Sequence, residues 1–461
     1  MIGLLAPACG LFGPGRPAQP EPEKPQADTI RDPTRDTVVR IPDTLTPVEL
    51  RAAIRDSLYP RVRRDTYRVA LMLPVFSDSS GLSRRDRQVA EAARNFYRGA
   101  RMGYDTLRRC GRKLHVSLYD TRNDSIFLQK ALQELQERPP DLVIGPLFSR
   151  HYKQLRPFSN DHEVNFLSPV VDVYSYLDSA PYIMSVKPPT HLLGGEVARL
   201  INRSFTKSRI ILVNEKLTIE EGDGLPMDTV LLTRESRMLR DSFLQHIDTN
   251  RNSIFLNQAF SANDLNKVRN KELEQKAANE DEQGKEPEGV QDTLLVDSLK
   301  TIVVITSQNE SFVGAMINNF RQRAGNGVLV GLPAWLNYRT IYTRQISRFN
   351  LHVIADFHID YRSADVQQFV RHYRSRYFQE PDRYAFRGFS LAVGMSRQFS
   401  ENGTYFQNGA TNDQGYQPFL FGGLQLAQQA PPFGGHYNRY FNWLKFVDFD
   451  FRPIPHHSKN P

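Results

Sequence analysis

The sequence predicts an α/β fold in which parallel sheets are flanked by helices, and two observations lead to this prediction. Hydrophobic residues make up 40% of the 461-residue chain and charged residues 24%, values that are typical of globular proteins and exclude wholesale disorder. From Tyr67 onward, short apolar runs alternate with stretches of helical periodicity. This alternation is typical of parallel strands joined by crossover helices.

The first α/β unit begins at Tyr67 with an apolar run that has polar residues only at its edge. A strand buried on both faces of a parallel sheet has this composition. Between Ala90 and Leu107, apolar residues recur at spacings of three and four, as on the buried side of a helix. The other predicted elements are strand Leu114–Tyr119, helix Ser125–Arg138, strand Asp141–Ile144, helix Ser149–Ser159 and strand Val164–Leu167.

A second α/β unit follows a strand at Tyr182–Val186. Its predicted elements are helix 191–205, strand Arg209–Val213, helix 234–247, strand Ser253–Leu256, strand Thr301–Thr306, helix 309–323 and strand Gly327–Val330. Acidic, low-complexity sequence interrupts this unit at residues 266–298. We interpret it as a solvated surface insertion, with a partner-binding tail as the alternative.

The last third of the chain contains a predicted strand at Leu351–Asp356, an amphipathic helix at Ala364–Tyr377 and a helix from Tyr384 to Phe399. Residues 405–451 then carry thirteen aromatic side chains among Gly and Pro turns. This density of aromatic residues favours short closing strands.

The first 64 residues differ in composition from the rest of the chain. Ten of the 29 prolines fall within residues 1–60, and such sequence cannot bury enough apolar surface to offset chain entropy. We therefore predict a signal remnant and a disordered tether over residues 1–64. Cys9 ends an apolar run and precedes Gly10, as the acylated cysteine of a bacterial lipoprotein does, so Cys9 is a candidate lipidation site. The run is short and lacks a preceding basic region, and a chance cysteine is the alternative.

The charge balance restricts the possible partners. Lys and Arg exceed Asp and Glu by 59 to 51, which gives a formal net charge of +8 and is compatible with anionic surfaces. The basic residues are scattered, however, and a solvated basic surface is the simpler interpretation. Nucleic-acid binding would need clustered basic residues with interleaved aromatics, so no nucleic-acid partner is expected. No apolar stretch approaches 18 residues, which excludes a membrane-spanning helix.

The sequence contains none of the common nucleotide-binding, zinc-protease or serine-hydrolase motifs. Its two cysteines are too few for a cysteine-based metal site, and its eleven histidines lack ligand spacing, so no metal or cofactor is expected. Asp161, His162 and Glu163 place a base beside carboxylates, but neighbours on a loop need not converge. A hydrolase with an unrecognised site is therefore only a remote alternative.

Five segments occur in a characteristic order, namely Val69–Val75, Phe96–Gly103, Asp141–Ser149, Phe166–Pro169 and Phe369–Pro381. Together they resemble type I periplasmic binding proteins, the leucine-binding and receptor ligand-binding superfamily. The similarity covers about residues 66–455. Within the superfamily the chain looks closest to a lipoprotein branch that includes activators of penicillin-binding proteins.

This resemblance implies two lobes, three chain crossings between them and a ligand cleft. By analogy, the first lobe comprises residues 66–188 and 351–404. The second lobe comprises residues 189–350, including the insertion, and the closing strands at 405–455.

Candidate ligand-binding residues lie in loops after the predicted strands, because ligands of open parallel sheets bind beyond the carboxyl ends of the strands, near helix N-termini. These residues are Pro74, Phe76, Ser77, Asp120, Thr121, Gly145, Pro146, Ser149 and Ser168 from the first unit, with Asn214 and Ser307 from the second. Ser149 can cap its own helix and Gly145 allows close backbone approach, so both also have purely structural interpretations. The loop from Ser168 to Tyr174 departs from the pattern of the amino-acid binders in the superfamily.

We therefore expect a non-enzymatic lipoprotein on the periplasmic side of the bacterial envelope, anchored through Cys9, with the outer membrane as the expected location. It would bind a small solute or a cell-wall component in the interlobe cleft, and the binding component of a transporter is one form of this role. The alternative is a scaffold or activator that contacts a cell-wall synthesis enzyme as an envelope protein partner.

Overall fold

The computed structural model describes residues 46, 53, 55–60, 62–77, 81–205, 207–216, 232–260, 300–321, 327–338, 350–407 and 417–454. These residues form two seven-stranded sheets flanked by helices and one small two-stranded sheet, which confirms the predicted α/β class. Cys9, the insertion at 266–298 and most of the predicted tether lie outside the described residues.

The boundaries of the elements follow the predicted alternation closely. The strands are β1 (Tyr67–Leu73), β2 (Leu114–Asp120), β3 (Leu142–Ile144), β4 (Asn165–Ser168), β5 (Ile183–Ser185), β6 (Ser208–Glu215), β7 (Asn252–Phe260), β8 (Thr301–Ile305), β9 (Val328–Gly331), β10 (Asn350–Ala355), β11 (Gln417–Phe419), β12 (Gly422–Leu424), β13 (Leu426–Gln428), β14 (His436–Asn438), β15 (Asn442–Val447) and β16 (Asp450–Pro453). The α-helices are α1 (Arg84–Arg109), α2 (Ser125–Glu137), α3 (Tyr152–Asp161), α4 (Leu193–Ser204), α5 (Arg234–His246), α6 (Glu310–Arg321), α7 (Ala364–Tyr377) and α8 (Arg383–Asn402).

The first sheet has the spatial order β13-β14-β5-β4-β3-β1-β2, and its strands run parallel except for β13. The second sheet has the order β16-β15-β10-β9-β8-β6-β7. Its strands from β6 to β10 run parallel, whereas β15 pairs antiparallel with both β10 and β16. Helices on both faces explain why the parallel strands are apolar runs rather than alternating sequences.

Strand β1 shows how the first sheet is buried on both sides. Val69 and Leu71 pack in a core with α1 and α8, whereas Ala70 and Met72 pack in a separate core with α2 and α3. Each face of the sheet therefore has its own helix layer, and the outermost layer carries α7 against α1 and α8.

The chain passes between the two sheets three times, through residues 186–192, 356–363 and 439–441. The first passage leaves the carboxyl end of β5 and enters the N-terminus of α4, which packs on the second sheet. A helix that precedes a parallel strand begins at the carboxyl edge of its sheet. The short passage therefore joins the carboxyl edges of the two sheets, so that their loops face one another across the hinge.

The strands do not follow the predicted division between lobes. Strand β10, which we assigned to the first lobe with residues 351–404, pairs with β9 in the second sheet. Strands β13 and β14, which we assigned to the second lobe with residues 405–455, extend the first sheet instead, since β14 pairs with β5. Local sequence patterns identify a strand, but its pairing partner depends on contacts distant in sequence.

The predicted tether ends earlier than residue 64. Tyr59 is only 3% exposed, and its hydroxyl donates a hydrogen bond to the Pro181 carbonyl at 3.0 Å. The ring packs edge-on against Tyr182 and His436. The Val62 carbonyl accepts a hydrogen bond from the Thr404 amide. Residues 59, 60 and 62–64 thus belong to the first lobe. The aromatic side chain of Tyr59, beside Pro60, was the signal in the sequence that could have indicated this.

Candidate functional site

The candidate loops of the first lobe gather at the carboxyl ends of β1 and β2. Asp120 ends β2, and its Oδ1 accepts hydrogen bonds from the backbone amides of Val75 and Phe76 at 3.0 and 3.1 Å. Its Oδ2 accepts hydrogen bonds from the amide and the hydroxyl of Ser77 at 2.8 and 3.0 Å. Pro74 is buried beneath this loop. The carboxylate of Asp120 therefore holds the loop after β1 in place.

Hydrogen bonds also determine the ionisation of Asp120. Burial alone would raise its pKa, but the donors on Ser77, Arg122 and Phe76 lower the pKa overall. Phe76 is half-buried with φ of 51°, a left-handed conformation that is uncommon for a residue with a side chain. Thr121 is buried, and its amide donates to the Leu73 carbonyl. Phe76 and the exposed Ser77 are thus the parts of this loop that a ligand can reach.

Gly145 follows β3 and has φ of 112°, which only glycine adopts readily. A Cβ atom there would overlap the Met72 carbonyl oxygen, so glycine is required for the close approach to β1. Pro146 is buried, and its carbonyl accepts a hydrogen bond from Tyr152. Ser149 begins a 3₁₀ turn that precedes α3, and neither that turn nor α3 has a side-chain cap. The half-buried Ser149 therefore does not make the helix cap that its position in the sequence allowed.

Ser168 ends β4 in a fully buried position. Its hydroxyl donates to the Val171 carbonyl at 2.8 Å, which closes the turn through Pro169. On the neighbouring strand, the Ser185 hydroxyl donates to the Lys187 carbonyl at 2.8 Å. Both hydroxyls stabilise loops, consistent with the departure of this segment from the pattern of amino-acid binders.

In the second lobe, Asn214 and Ser307 meet at the carboxyl ends of β6 and β8. The Thr306 hydroxyl donates to Asn214 Oδ1 at 2.9 Å, and the Ser307 hydroxyl donates to Glu215 Oε2 at 2.6 Å. Asn309 Nδ2 donates to the other Glu215 oxygen at 2.8 Å. The structure therefore brings the two predicted residues together, but both are buried and Glu215 is the more accessible group.

Three glutamates and one tyrosine lie together at this end of the second sheet. We define the acidic edge as Glu215, Glu235, Glu310 and Tyr338. Burial, and then the carboxylates of Glu235, Glu310 and Glu215, raise the pKa of Tyr338. The Tyr338 hydroxyl is shielded from solvent and has no hydrogen-bond partner among the described residues. Glu215 follows the predicted Asn214 directly, whereas no local signal distinguishes Tyr338.

The corresponding edge of the first lobe carries two arginines, Arg122 and Arg150, together with Asp120 and Asp124. The Arg122 guanidinium lies 4.4 Å from the Phe127 ring centroid, and its Nε lies 3.8 Å from Asp120. Arg150 donates to the Asn123 carbonyl at 2.8 Å, and His151 Nε2 lies 3.2 Å from Asn123 Oδ1. Burial and then Arg150 lower the pKa of His151, which therefore favours its neutral form. We predicted a ligand-binding role for Thr121 and Ser149, which adjoin Arg122 and Arg150 in the sequence. We did not predict such a role for Arg122, Arg150 or His151.

A cavity of about 180 Å³ lies at the outer edge of the first sheet, beside β2 and α2. It is lined by Leu118, Tyr119, Asp120, Phe127, Lys130, Ala131 and Glu134. Among the described residues, no group of three or more His, Cys, Asp and Glu side chains is arranged to hold a metal ion. The helices within those same ranges include none with the length and apolarity needed to span a membrane.

Comparison with solved structures gives matches at low sequence identity. A candidate branched-chain amino acid ABC transporter protein from Rhodospirillum rubrum matches with a TM-score of 0.56 and 13% identity, over 84% of this chain and 100% of that chain. An ABC transporter substrate-binding protein from Desulfitobacterium hafniense in complex with Leu has a TM-score of 0.47 and 13% identity, over 84% and 100%. No protein-family profile and no curated protein matches the sequence.

The first of these matches identifies the architecture as the two-lobed type I periplasmic-binding-protein fold. Within that fold, Arg122 and Arg150 lie at the carboxyl edge of the first sheet, and Glu215 and Glu235 lie at the carboxyl edge of the second. Such an arrangement can hold a small polar molecule by charge complementarity at its two ends.

Proposed function

We propose that this chain is a non-enzymatic binding protein that holds a small solute or envelope component between its two lobes. The observation that carries the proposal is the acidic edge, where the shielded Tyr338 hydroxyl has no hydrogen-bond partner in the part of the chain that the structure describes and lies near three carboxylates. A buried donor without a partner is costly, and a bound ligand would satisfy it.

The charges of the two edges favour a particular class of ligand. Arg122 and Arg150 on the first lobe suit an anionic group, and Glu215 and Glu235 on the second lobe suit a cationic group. A zwitterionic or dipolar solute that spans the cleft meets both requirements. Its arrival would draw the lobes together by hinge motion, as in the binding component of a transporter.

A thermal-shift screen of the full chain against amino acids, sugars and muropeptides tests this proposal. A ligand that binds only the native state must raise the melting temperature in a concentration-dependent manner. We expect zwitterionic compounds to give the largest shift, and the variants Glu215→Gln and Tyr338→Phe to reduce it. The matched control is Glu134→Gln, which removes a carboxylate at the outer edge of the first sheet.

A flat response to every compound would contradict the solute-binding proposal. The alternative, a scaffold or activator that contacts a cell-wall synthesis enzyme, is favoured by the internal hydrogen bonds that occupy Asp120 and Ser168. Under that alternative no ligand binds at the acidic edge. The compounds would then leave the melting temperature unchanged both in the wild type and in the variants of the acidic edge.

The proposed location is the periplasmic side of the cell envelope, with a lipid anchor on Cys9 and the outer membrane as the expected site. Expression in a bacterial host that processes lipoproteins should give a membrane-associated chain whose mass includes acyl groups. Cys9→Ser should release the chain to the soluble fraction. An unmodified Cys9 in the mature protein would contradict the anchor while leaving the binding proposal intact.

A further inference from the structure

We infer that the outer helical face of the first lobe is a second membrane-contacting surface, which binds anionic phospholipid independently of Cys9. We call this face the α1/α7 face and define it by helices α1 and α7 together with Phe378. It lies on the side of the first sheet that carries α1 and α8.

The α1/α7 face carries most of the net charge of the protein. Helix α1 has eight arginines and three acidic residues, which gives +5, and α7 has three arginines and one aspartate, which gives +2. These 40 residues thus contribute a charge of +7, against +8 for the whole chain. Arg94, Arg101 and Arg371 are exposed, and no ion pair joins them to any described residue. Eleven of the 59 basic residues of the chain therefore lie on these two helices, with only four acidic residues among them.

Direct contacts hold the two helices side by side, so the charges form one continuous surface. Arg376 Nη1 lies 2.7 Å from Asp105 Oδ2, and the Tyr377 hydroxyl donates to the Arg98 carbonyl at 3.2 Å. The guanidinium groups of Arg98 and Arg376 each lie 5.5 Å from the Tyr377 ring centroid. Arginines and aromatic rings are thus interleaved where α7 ends.

Phe378 projects from this basic surface. It is 90% exposed and has φ of 54°, a left-handed conformation at the C-terminus of α7 that glycine or asparagine would adopt more readily. The solvated position gives the ring no packing contact that would compensate for its exposure. An exposed aromatic ring among arginines is typical of surfaces that lie in the headgroup region of a bilayer.

The combination of charge and an exposed ring favours lipid over a soluble polyanion. Arginines alone would bind any polyanion, but an apolar ring gains from transfer into the acyl region and not from contact with a hydrophilic polymer. Because both features converge on the end of α7, we assign this face to anionic phospholipid.

Vesicle sedimentation of the full chain carrying Cys9→Ser tests this inference, because acylation then cannot contribute. We expect binding to phosphatidylcholine vesicles that contain phosphatidylglycerol, weakening as salt is added, and no binding to phosphatidylcholine alone. Arg101→Glu combined with Arg371→Glu should weaken binding by about tenfold or more. Phe378→Asn should weaken it several-fold, since asparagine tolerates the backbone conformation.

Matched controls come from elsewhere in the chain. Phe449 is also an exposed phenylalanine with positive φ, and 66% of it is exposed. Phe449→Asn should not affect binding to the vesicles. Arg138→Glu combined with Lys153→Glu makes the same charge change on α3 and the end of α2, which cover the opposite face of the first sheet. Circular dichroism melting verifies that each variant is folded.

Three outcomes would overturn the inference. The first is no binding to anionic vesicles. The second is equal loss of binding in the α1/α7 variants and in their controls, which would indicate a general charge effect. The third is binding to the soluble polyanion dextran sulfate that competes with vesicles and does not depend on Phe378, which would assign the face to a polymer. None of these outcomes depends on whether the cleft binds a solute.

Discussion

Asp120 illustrates how a residue in a predicted ligand loop can have a structural role instead. Its carboxylate accepts five hydrogen bonds, four of them from residues 43 to 45 positions earlier in the chain. The sequence located Asp120 correctly at the end of a strand. It could not reveal these donors, because they depend on how β1 and β2 lie side by side. We therefore expect substitution of Asp120 to affect stability before it affects binding.

Asp120→Asn should lower the free energy of unfolding by about 2 kcal/mol at neutral pH, since hydrogen bonds to a charged group contribute about 1.5–3 kcal/mol each. Asparagine keeps one acceptor oxygen but sets an N–H group against the amide of Ser77. Because the folded state lowers the pKa of Asp120, its stabilising effect is complete above the unfolded pKa of 3.8. It is lost as the pH falls through the lower folded value.

The difference between wild type and Asp120→Asn, measured by urea denaturation, should thus shrink in strong acid. Asp161→Asn, which changes an exposed carboxylate at the end of α3, provides the control and should leave stability within about 0.5 kcal/mol. Equal stabilities of wild type and Asp120→Asn at neutral pH would show that the five hydrogen bonds are not what holds the loop.

At the scale of elements, helices and parallel strands were predictable because apolar periodicity is a local property. Helix α7 begins and ends at the predicted residues, Ala364 and Tyr377. Sheet membership was not predictable in the same way. His436 of β14 pairs with Met184 of β5, and no pattern within either segment specifies a partner so distant in the chain. The acidic edge has the same origin, since its members come from four separate elements.

The contact between α1 and α8 yields a prediction at this scale. A Cβ atom on Gly99 would overlap the Ala385 carbonyl, and one on Gly388 would overlap the Phe96 carbonyl, so the two backbones touch at a pair of glycines. Gly→Ala normally stabilises a helix by about 1 kcal/mol. Here we expect Gly99→Ala to destabilise the protein by about 2 kcal/mol or more, because overpacking forces the helices apart.

Gly103→Ala is the matched control in the same helix, because its added Cβ would lie 2.8 Å from the Ala392 side chain and 3.0 Å from the Phe389 carbonyl oxygen, whereas a Cβ on Gly99 would overlap the Ala385 carbonyl. Its melting temperature should fall less than that of Gly99→Ala. A Gly99→Ala variant that melts at or above the wild-type temperature would contradict the close contact between these helices.

On the scale of the whole molecule, Arg387 links the lobes at the hinge. Its side chain is 2% exposed, donates to the Pro169 carbonyl at 3.0 Å and lies 3.6 Å from Asp356, which follows β10 of the second sheet. The guanidinium also contacts the Phe357 and Phe421 rings at 4.9 and 5.2 Å. Burial lowers its pKa to about 10, so it remains charged at neutral pH. One cation thus connects the Pro169 loop of the first lobe to the hinge segment at 356–363 and to the turn between β11 and β12.

Arg387→Met should therefore broaden the distribution of angles between the lobes, because it removes the cation and leaves Asp356 without its buried partner. Spin labels on Arg138→Cys in the first lobe and Leu244→Cys in the second, in a chain with Cys9→Ser and Cys110→Ser, report this distribution by electron–electron resonance. Arg383→Met is the matched control, since the exposed Arg383 lies 5.2 Å from the same Phe357 ring but makes no contact with Pro169. Identical distributions for the two variants would mean that backbone packing alone sets the angle between the lobes. Broadening in Arg387→Met alone would show that the buried cation, through its contacts with Pro169 and Asp356, restrains the motion of the two lobes.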